Sequence, residues 1–514
     1  MASDSAQPDT SCPLSWLLAD LLPNQVSSLS VKISGMTLDS RAVTCGDLFV
    51  AVQGAVSDGR QFIDNAIASG AAAVLSETLI EHEDGKLSVQ GDTPVIHIFQ
   101  LQQKLSAIAM RFYFPQSNLH HVTAVTGTNG KTTIASLLAN SYMLLGQQSA
   151  QMGTIGNGLY NQLQASLNTT LDAISVCREL ASYQAQGATQ TIMEVSSHGL
   201  VQGRIAAVPF NTAIFTNLTR DHLDYHGTMH AYAEAKQTLF DKFPLKHRII
   251  NANDAVGRDW LAKYPDAIAY GLNIGQSFTK QHYFNVTKVD YLPQGLAFEF
   301  ASSWGAGIMT SPFYGDFNVL NMAAVSCALL ADGVRLNDIQ KVMAELTVVP
   351  GRMEQYFFAK QQITFVVDYA HTPDALDNSL QALQHHKQQG RIIAVFGCGG
   401  DRDKGKRPLM ASVAEQGADL VVIVDDNPRS EEATLIVEDI KAGLKKPEKA
   451  LVIHERQQAI QYLLANAQQH DIVLLAGKGH EDYQIFGDKK VHYSDRETLQ
   501  ALVKEQAIQD NTND

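Results

Sequence analysis

At 514 residues the chain is too long for one ordinary domain, and about three domains are expected. An apolar fraction of 45% and a charged fraction of 18% describe a globular protein with several cores. The formal charge of −14 argues against broad attraction to nucleic acid or anionic lipid, so an anionic ligand needs local basic clusters. The five cysteines (Cys12, Cys45, Cys177, Cys327, Cys398) form no C-x-x-C, which argues against a disulfide framework or a zinc site.

The first residues, MASDSAQPDTSCPLSWLLADLLP, carry acids and no basic region ahead of the apolar run, unlike a signal peptide. No run approaches the roughly 18 apolar residues of a membrane span, so the expected location is cytoplasmic. Residues 1–105 mix short β-like runs (GDLFVAVQG, AAAVLS, PVIHIF) with one helical stretch, FIDNAIASG, and read as a small α/β domain. Residues 106–350 read as a larger α/β domain, opening with VTAVTG, a glycine turn and a helix with Ile134, Leu137, Leu138, Tyr142 and Leu145 at helical spacing. Residues 351–514 follow the Pro350-Gly351 break. There ITFVVDYA, RIIAVFGCGG, ADLVVIVDD, KALVIH and DIVLLAG alternate with helices from Pro373, after Pro408, after Arg429 and over QQAIQYLLANAQ. Strands alternating with helices imply a parallel, doubly wound sheet.

Within the central stretch, GTNGKTT spans Gly127, Thr128, Asn129, Gly130, Lys131, Thr132 and Thr133. It ends as a phosphate-binding loop does but is two residues shorter than G-x-x-x-x-G-K-[ST]. Glycines allow a tight turn that aims N–H groups and a helix N-terminus at phosphate oxygens; Lys131 adds charge and a threonine hydroxyl suits Mg²⁺. The loop alone leaves a kinase, a GTPase and a ligase open. Farther on, TIMEVSSHGLVQGR ends a strand with Glu194, a position suited to a metal or to a solvated acid. IFTNLTRDHLDYHG ends another strand in a polar cluster containing His222. In MHAYAEAKQTLFDKF, Lys236 shares a helix face with Tyr232, Leu239, Phe240 and Phe243. Such a lysine either snorkels to water or is buried with a neutral amine, and a neutral amine can capture CO₂ as a carbamate that binds Mg²⁺.

Taken in order, GTNGKTT, EVSSHGLVQGR, NLTRDHLDYHG and the lysine of YAEAKQTLF resemble the Mur ligases that build the peptidoglycan precursor. The resemblance runs from MTLDSRAVTCGDLFVAV to GKGHEDYQ, nearly the whole chain. It implies a UDP-binding N-terminal domain, a central ATPase domain and a Rossmann-like C-terminal domain that binds an amino acid. It also implies an ATP-dependent amide ligase working through an acyl phosphate, with UDP-N-acetylmuramoyl-L-alanyl-D-glutamate as acceptor. ATP would lie on the loop. Thr132 and Glu194 resemble ligands of one of two Mg²⁺ ions, and His222 and carbamylated Lys236 would hold or orient the other. Asn318, Arg352 and Asp368 resemble residues that close over ATP, although Asn318 could be a helix cap. Leu38, Ser40 and the loop Ala55, Val56, Ser57 match uridine contacts. Asn168, Thr169, Thr170, Ser196, Gln202 and Arg204 match contacts to the muramoyl-dipeptide. A monomer with small-molecule partners, no nucleic acid and no membrane is implied.

DNPR (Asp426, Asn427, Pro428, Arg429) follows the strand ADLVVIVDD at the open end of the C-terminal sheet. In the resembling family it marks enzymes that add meso-diaminopimelate, whose distal carboxylate a guanidinium can grip through two hydrogen bonds. Lysine lacks that carboxylate, and a loss of even about 3 kcal/mol gives discrimination above a hundredfold. Arg402 in GCGGDRDKGKRPLM, with Gly477 and Glu481 in GKGHED, also matches amino-acid contacts; Glu481 could pair with the distal ammonium. DNPR taken alone, without the rest of the chain, reads as a type I turn with proline at a strand exit. GCGGDR has Arg402 where a dinucleotide fingerprint needs its third glycine. Alternatives within the class are a lysine-adding ligase and a folylpolyglutamate synthetase; outside it stand a P-loop NTPase switch and a phosphotransferase.

Overall fold

The computed structural model describes residues 11–22, 29–54, 57–116, 118–166, 168–275, 282–292, 295–387 and 389–511. The chain divides into two compact units. One comprises Met1–Thr126, Gly146–Ala213 and Ala235–Lys246; the other comprises Gly127–Leu145, Ile214–Glu234 and His247–Asp514. No helix among the described residues is long and apolar enough to cross a membrane.

In the first unit, strands Gly35–Thr37, Asp47–Ala51, Ala73–Thr78 and Thr93–Phe99 pair in parallel in that order, and Leu87–Gln90 closes the edge antiparallel. Alternation along these strands feeds two cores. Leu48, Val50, Leu75 and Ile96 enter one with helix Leu101–Tyr113, while Phe49, Ala51, Val74 and Val95 enter the other. A further ladder runs through Asn157–Leu159, Ser149–Met152, Gln190–Glu194 and His121–Thr126; its first pair is antiparallel and the others are parallel.

The second unit begins with helix Lys131–Leu144, directly after the glycine loop. Strands His247–Asn251, Ile268–Leu272 and Tyr283–Leu292 pair in parallel, and Gly295–Ser302 and Gly305–Ser311 continue as an antiparallel meander. The C-terminal sheet has the order Glu354–Phe358, Ile363–Asp368, Ile472–Ala476, Ile392–Phe396, Leu420–Ile423, Leu451–Val452, parallel except for the first strand. Its strands are near-continuous apolar runs because both faces are covered. Val366, Ala394, Ile423 and Leu474 enter one core, and Val367, Val395, Val422 and Leu475 the other. The fold is thus α/β, as the alternation of strands and helices implies. The helix expected after Pro408 instead begins at Lys406. Pro408 lies in the first turn, where backbone N–H groups have no intrahelical partner, so its missing donor costs little.

Candidate active site

The glycine loop is held by the segment after Phe215. Thr128 N–H donates to Asn217 O (2.8 Å) and Asn129 N–H to Asn217 Oδ1 (2.9 Å). Thr216 Oγ1 donates to Asn129 O at 2.6 Å, and Thr219 N–H to Thr128 Oγ1 at 3.0 Å. A Cβ on Gly127 would lie 1.8 Å from Thr216 Oγ1, and its φ of +145° is one that other residues rarely adopt; glycine is required here. The expectation that successive loop amides face phosphate is therefore corrected at two positions, because Asn217 takes the N–H groups of Thr128 and Asn129. Beyond them the loop runs into the first turn of the helix, a place where N–H groups have no intrahelical acceptor. Lys131 Nζ donates to Gly127 O (2.9 Å) and Thr128 O (2.7 Å), so the ammonium arches over the loop. Thr132 and Thr133 are buried in the helix's first turn.

Asn129 Nδ2 also donates to Asp374 Oδ2 at 3.0 Å. Burial pushes the Asp374 carboxyl up, and Asn129 pulls it back down. Asn318 is the third residue of helix Asp316–Ala331, not its cap; Gly315 occupies that place. Its Nδ2 donates to Tyr314 O, and its Oδ1 accepts from Asn321, whose own Oδ1 would lie 2.8 Å from a Cβ on Gly130. Asp368, at the end of its strand, accepts from Met353 N–H, Ala370 N–H and Ser379 Oγ. Burial raises its carboxyl, with Arg352 and those hydrogen bonds pulling the other way. The Arg352 guanidinium lies 4.5 Å from the Tyr369 ring centroid. His222 adopts φ +54° beside Asp221, with Nε2 3.4 Å from Asp221 Oδ2. Burial opposes ionisation of Asp221, but His222, His371, Lys406 and Lys131 together hold its carboxyl below the usual range.

At the open end of the C-terminal sheet, Arg429 takes φ +53°, and its Nη1 donates to Gly400 O (2.8 Å) and Asn427 O (3.4 Å). Gly400 is needed for this approach, since a Cβ there would lie 1.9 Å from Pro428 O. The glycines of GCGG thus admit the DNPR segment. Glu481 Oε2 accepts from Asn427 Nδ2 (3.3 Å) and from Lys478 Nζ (3.1 Å), and Oε1 accepts from Tyr369 Oη (3.4 Å). The cation beside Glu481 is therefore Lys478, which the sequence reading did not single out. Gly477 has φ +107° at the head of the same turn. Arg402 is exposed on the loop after Phe396 and donates to Asp401 O at 3.3 Å.

In the first unit Glu194 is fully buried and accepts from Thr154 N–H (2.8 Å) and Thr154 Oγ1 (3.2 Å). A solvated strand-end acid is excluded. Thr154 Oγ1 meets Thr169 Oγ1 at 3.1 Å, Thr170 Oγ1 donates to Glu194 O, and Ser196 N–H donates to Thr170 Oγ1. Arg204 bonds Gln202 Oε1 (2.8 Å) and Thr170 O (2.6 Å). These expected residues therefore form one network joined by Thr154, which no motif marked. Asn168 lies at its exposed edge. Lys236 is 1% exposed, which rules out snorkelling. Leu38, Ser40 and Ser57 line a cavity of about 640 Å³ together with Arg41, Phe62 and Asn65. Ala55 and Val56 lie outside the described residues.

The chain thus carries a short glycine loop that opens a helix, and a doubly wound sheet with charged residues of both signs at its open end. Three family models match the chain in succession: "Mur ligase family, catalytic domain" over residues 32–113, "Mur ligase middle domain" over 125–329, and "Mur ligase, glutamate ligase domain" over 351–479. The chain is 47% identical over 474 residues to the UDP-N-acetylmuramoyl-L-alanyl-D-glutamate--2,6-diaminopimelate ligase of Haemophilus influenzae, covering 92% of this chain and 97% of that one. It is 48% identical to the ligase of the same name from Vibrio vulnificus, covering 92% and 95%. A solved structure of a ligase of that name matches at 36% identity and TM-score 0.67, covering 95% of this chain and 99% of that one. The MurF structure of Acinetobacter baumannii shares the fold at 18% identity and TM-score 0.64, covering 96% and 98%. The chain belongs to the Mur ligase family.

Proposed function

We propose that this ligase adds meso-diaminopimelate to UDP-N-acetylmuramoyl-L-alanyl-D-glutamate in peptidoglycan precursor synthesis. The observation that carries the reading is the group at the end of the C-terminal sheet, where Arg429 stands in one turn with Asp426 and Asn427, and Asn427 bonds Glu481. An amino acid with a carboxylate and an ammonium at its far end needs partners of both signs, and a guanidinium holds a carboxylate through two parallel bonds. The printed names of the two bacterial relatives support the same substrate.

In this reading residues 1–105 bind the UDP-sugar, 106–350 bind ATP and 351–514 bind the amino acid. The γ-phosphoryl of ATP passes to the acceptor's carboxylate. The acyl phosphate is attacked by the amine, and the tetrahedral intermediate collapses to an amide and phosphate. Two anions must first approach each other, so the chain's task is alignment and positive charge. Lys131 supplies charge at the loop; Asn318, Arg352 and Asp368 hold the nucleotide. Leu38, Ser40 and Ser57 take the uridine, while Thr169, Thr170, Gln202 and Arg204 take the muramoyl-dipeptide.

Thr132, Glu194, His222 and Lys236 are the side chains that would serve as Mg²⁺ ligands. A carboxylate and a hydroxyl are oxygen donors of the kind Mg²⁺ takes, the rest of its shell being water and phosphate oxygens. A Cβ on Gly153 would lie 2.1 Å from Glu194 Oε1, so the backbone is cut back around this carboxylate. When bound, the ions neutralise phosphate charge. Lys236, buried on its helix, is the amine that would take up CO₂ as a carbamate. We place the enzyme in the cytoplasm as a monomer.

The test is phosphate release from ATP and Mg²⁺ with the UDP-muramoyl-dipeptide, with and without diaminopimelate or lysine. Release only with diaminopimelate is expected. Release indifferent to the amine would mean a nucleotide switch, and preference for lysine would overturn the substrate assignment.

A further inference from the structure

Lys478 is fully buried, yet its ammonium belongs to no apolar core. Its Nζ donates to Asn427 Oδ1 at 2.9 Å, to Glu481 Oε2 at 3.1 Å and to Tyr483 O at 2.8 Å, and lies 3.1 Å from Asp426 Oδ1 as an ion pair. Two of these partners come from the turn that carries Arg429, and the others from its own turn and the strand after it. We propose that Lys478 is a positioning residue for the incoming amino acid, tying the Asp426–Arg429 turn to the Gly477–Glu481 turn. This rests on the reading of these turns as the diaminopimelate site.

The bonding pattern gives the tie its direction. Asn427 Oδ1 also accepts from Ile485 N–H at 3.0 Å, and its Nδ2 donates to Glu481, so the amide has one orientation, to which the ammonium adds a second donor on Oδ1. Glu481 is thereby turned with Oε2 inward and Oε1 toward Tyr369, the side from which a ligand ammonium can reach it. Burial leaves the Glu481 carboxyl raised, with Lys478 pulling the other way; burial also opposes Asp426, but Lys478, aided by Arg456 and His371, holds it below the usual range. Tyr369, Tyr483 and Cys398 are further titratable groups near these acids, with Arg352, Arg429 and Asp482 as charged neighbours of the two tyrosines. Without the ammonium, the two buried acids lose the cation that both contact, which favours the protonated form of each. The site then loses charge on the side that meets the substrate's ammonium.

The experiment uses the full-length enzyme with ATP, Mg²⁺ and UDP-muramoyl-dipeptide. Wild-type turnover with diaminopimelate is measured first and tests the functional reading by itself. In Lys478→Met, KM for diaminopimelate should rise at least tenfold, with KM for ATP and for the UDP substrate within twofold of wild type. Between pH 7 and 9 the variant's KM for diaminopimelate should fall as the acids ionise, while the wild type stays flat. An unchanged KM, an equal rise in all three, or a flat profile in the variant overturns the inference and leaves the activity assignment standing. If Lys478→Met fails to fold, Lys478→Met/Asp426→Asn removes one charge of each sign and is compared with Asp426→Asn. A KM for diaminopimelate at least fivefold higher in the double variant supports the tie, and equal values overturn it.

Discussion

Arg429 carries five N–H donors, and the two carbonyl contacts it makes are both made by Nη1, so the guanidinium is anchored before any ligand arrives. In Arg429→Ala, KM for diaminopimelate should rise by at least two orders of magnitude, about 3 kcal/mol, with KM for ATP little changed; steady-state kinetics check this. At the other end of the reaction, Gly127→Ala should weaken ATP binding at least tenfold by calorimetric titration, since its Cβ would collide with Thr216 Oγ1. Residues bearing unusual chemistry in a compact motif were legible in the sequence: Gly127, Lys131, Glu194, Arg429 and Glu481. Their partners were not. Asn217 lies 88 residues from Asn129, and Lys478 lies 51 from Asn427, so no spacing rule connects them. Asp374 and His371 sit in the same DYAHTPD stretch as Asp368, and could have been found there by asking which of its other polar groups the helix start leaves buried.

Helix Pro373–His386 shows how one element serves both structure and site. Thr372 Oγ1 accepts from Ala375 N–H, Pro373 occupies the first turn, and Asp374 reaches Asn129 from that same turn. Thr372→Ala should cost about 1 kcal/mol of stability by urea unfolding and also raise KM for ATP, because the frayed turn releases Asp374. A cap with no tie to the loop would change stability alone. The alternation of strands and helices in the last third was readable because both faces of a parallel sheet are buried, leaving unbroken apolar runs such as Ile392–Phe396. The meander of Tyr283–Leu292, Gly295–Ser302 and Gly305–Ser311 was not, since its exposed outer positions (Lys288, Asp290, Glu299) dilute the apolar signal.

For the molecule as a whole, acid sensitivity follows from buried carboxylates with basic partners. Asp471 accepts from Arg391 Nη2 (2.7 Å), Arg391 N–H and Gln468 N–H. Burial alone would raise its carboxyl, but these partners hold it below the ordinary value; Arg496 does the same for Glu354. A lowered native pKa means stability that is complete above the unfolded value, about 3.9 for Asp, and lost as pH falls through the native one. Unfolding free energy should therefore drop below about pH 4. Asp471→Asn should be less stable at pH 7 and show a shallower acid decline in urea titrations.

The hydrogen bond between Asn129 and Asp374 joins positions 245 residues apart. At ribosomal rates of about 5–20 residues per second, roughly 12–50 seconds separate synthesis of the glycine turn from synthesis of the carboxyl that braces it. A growing chain thus carries its glycine turn without this brace until the residue that supplies the carboxyl has been made.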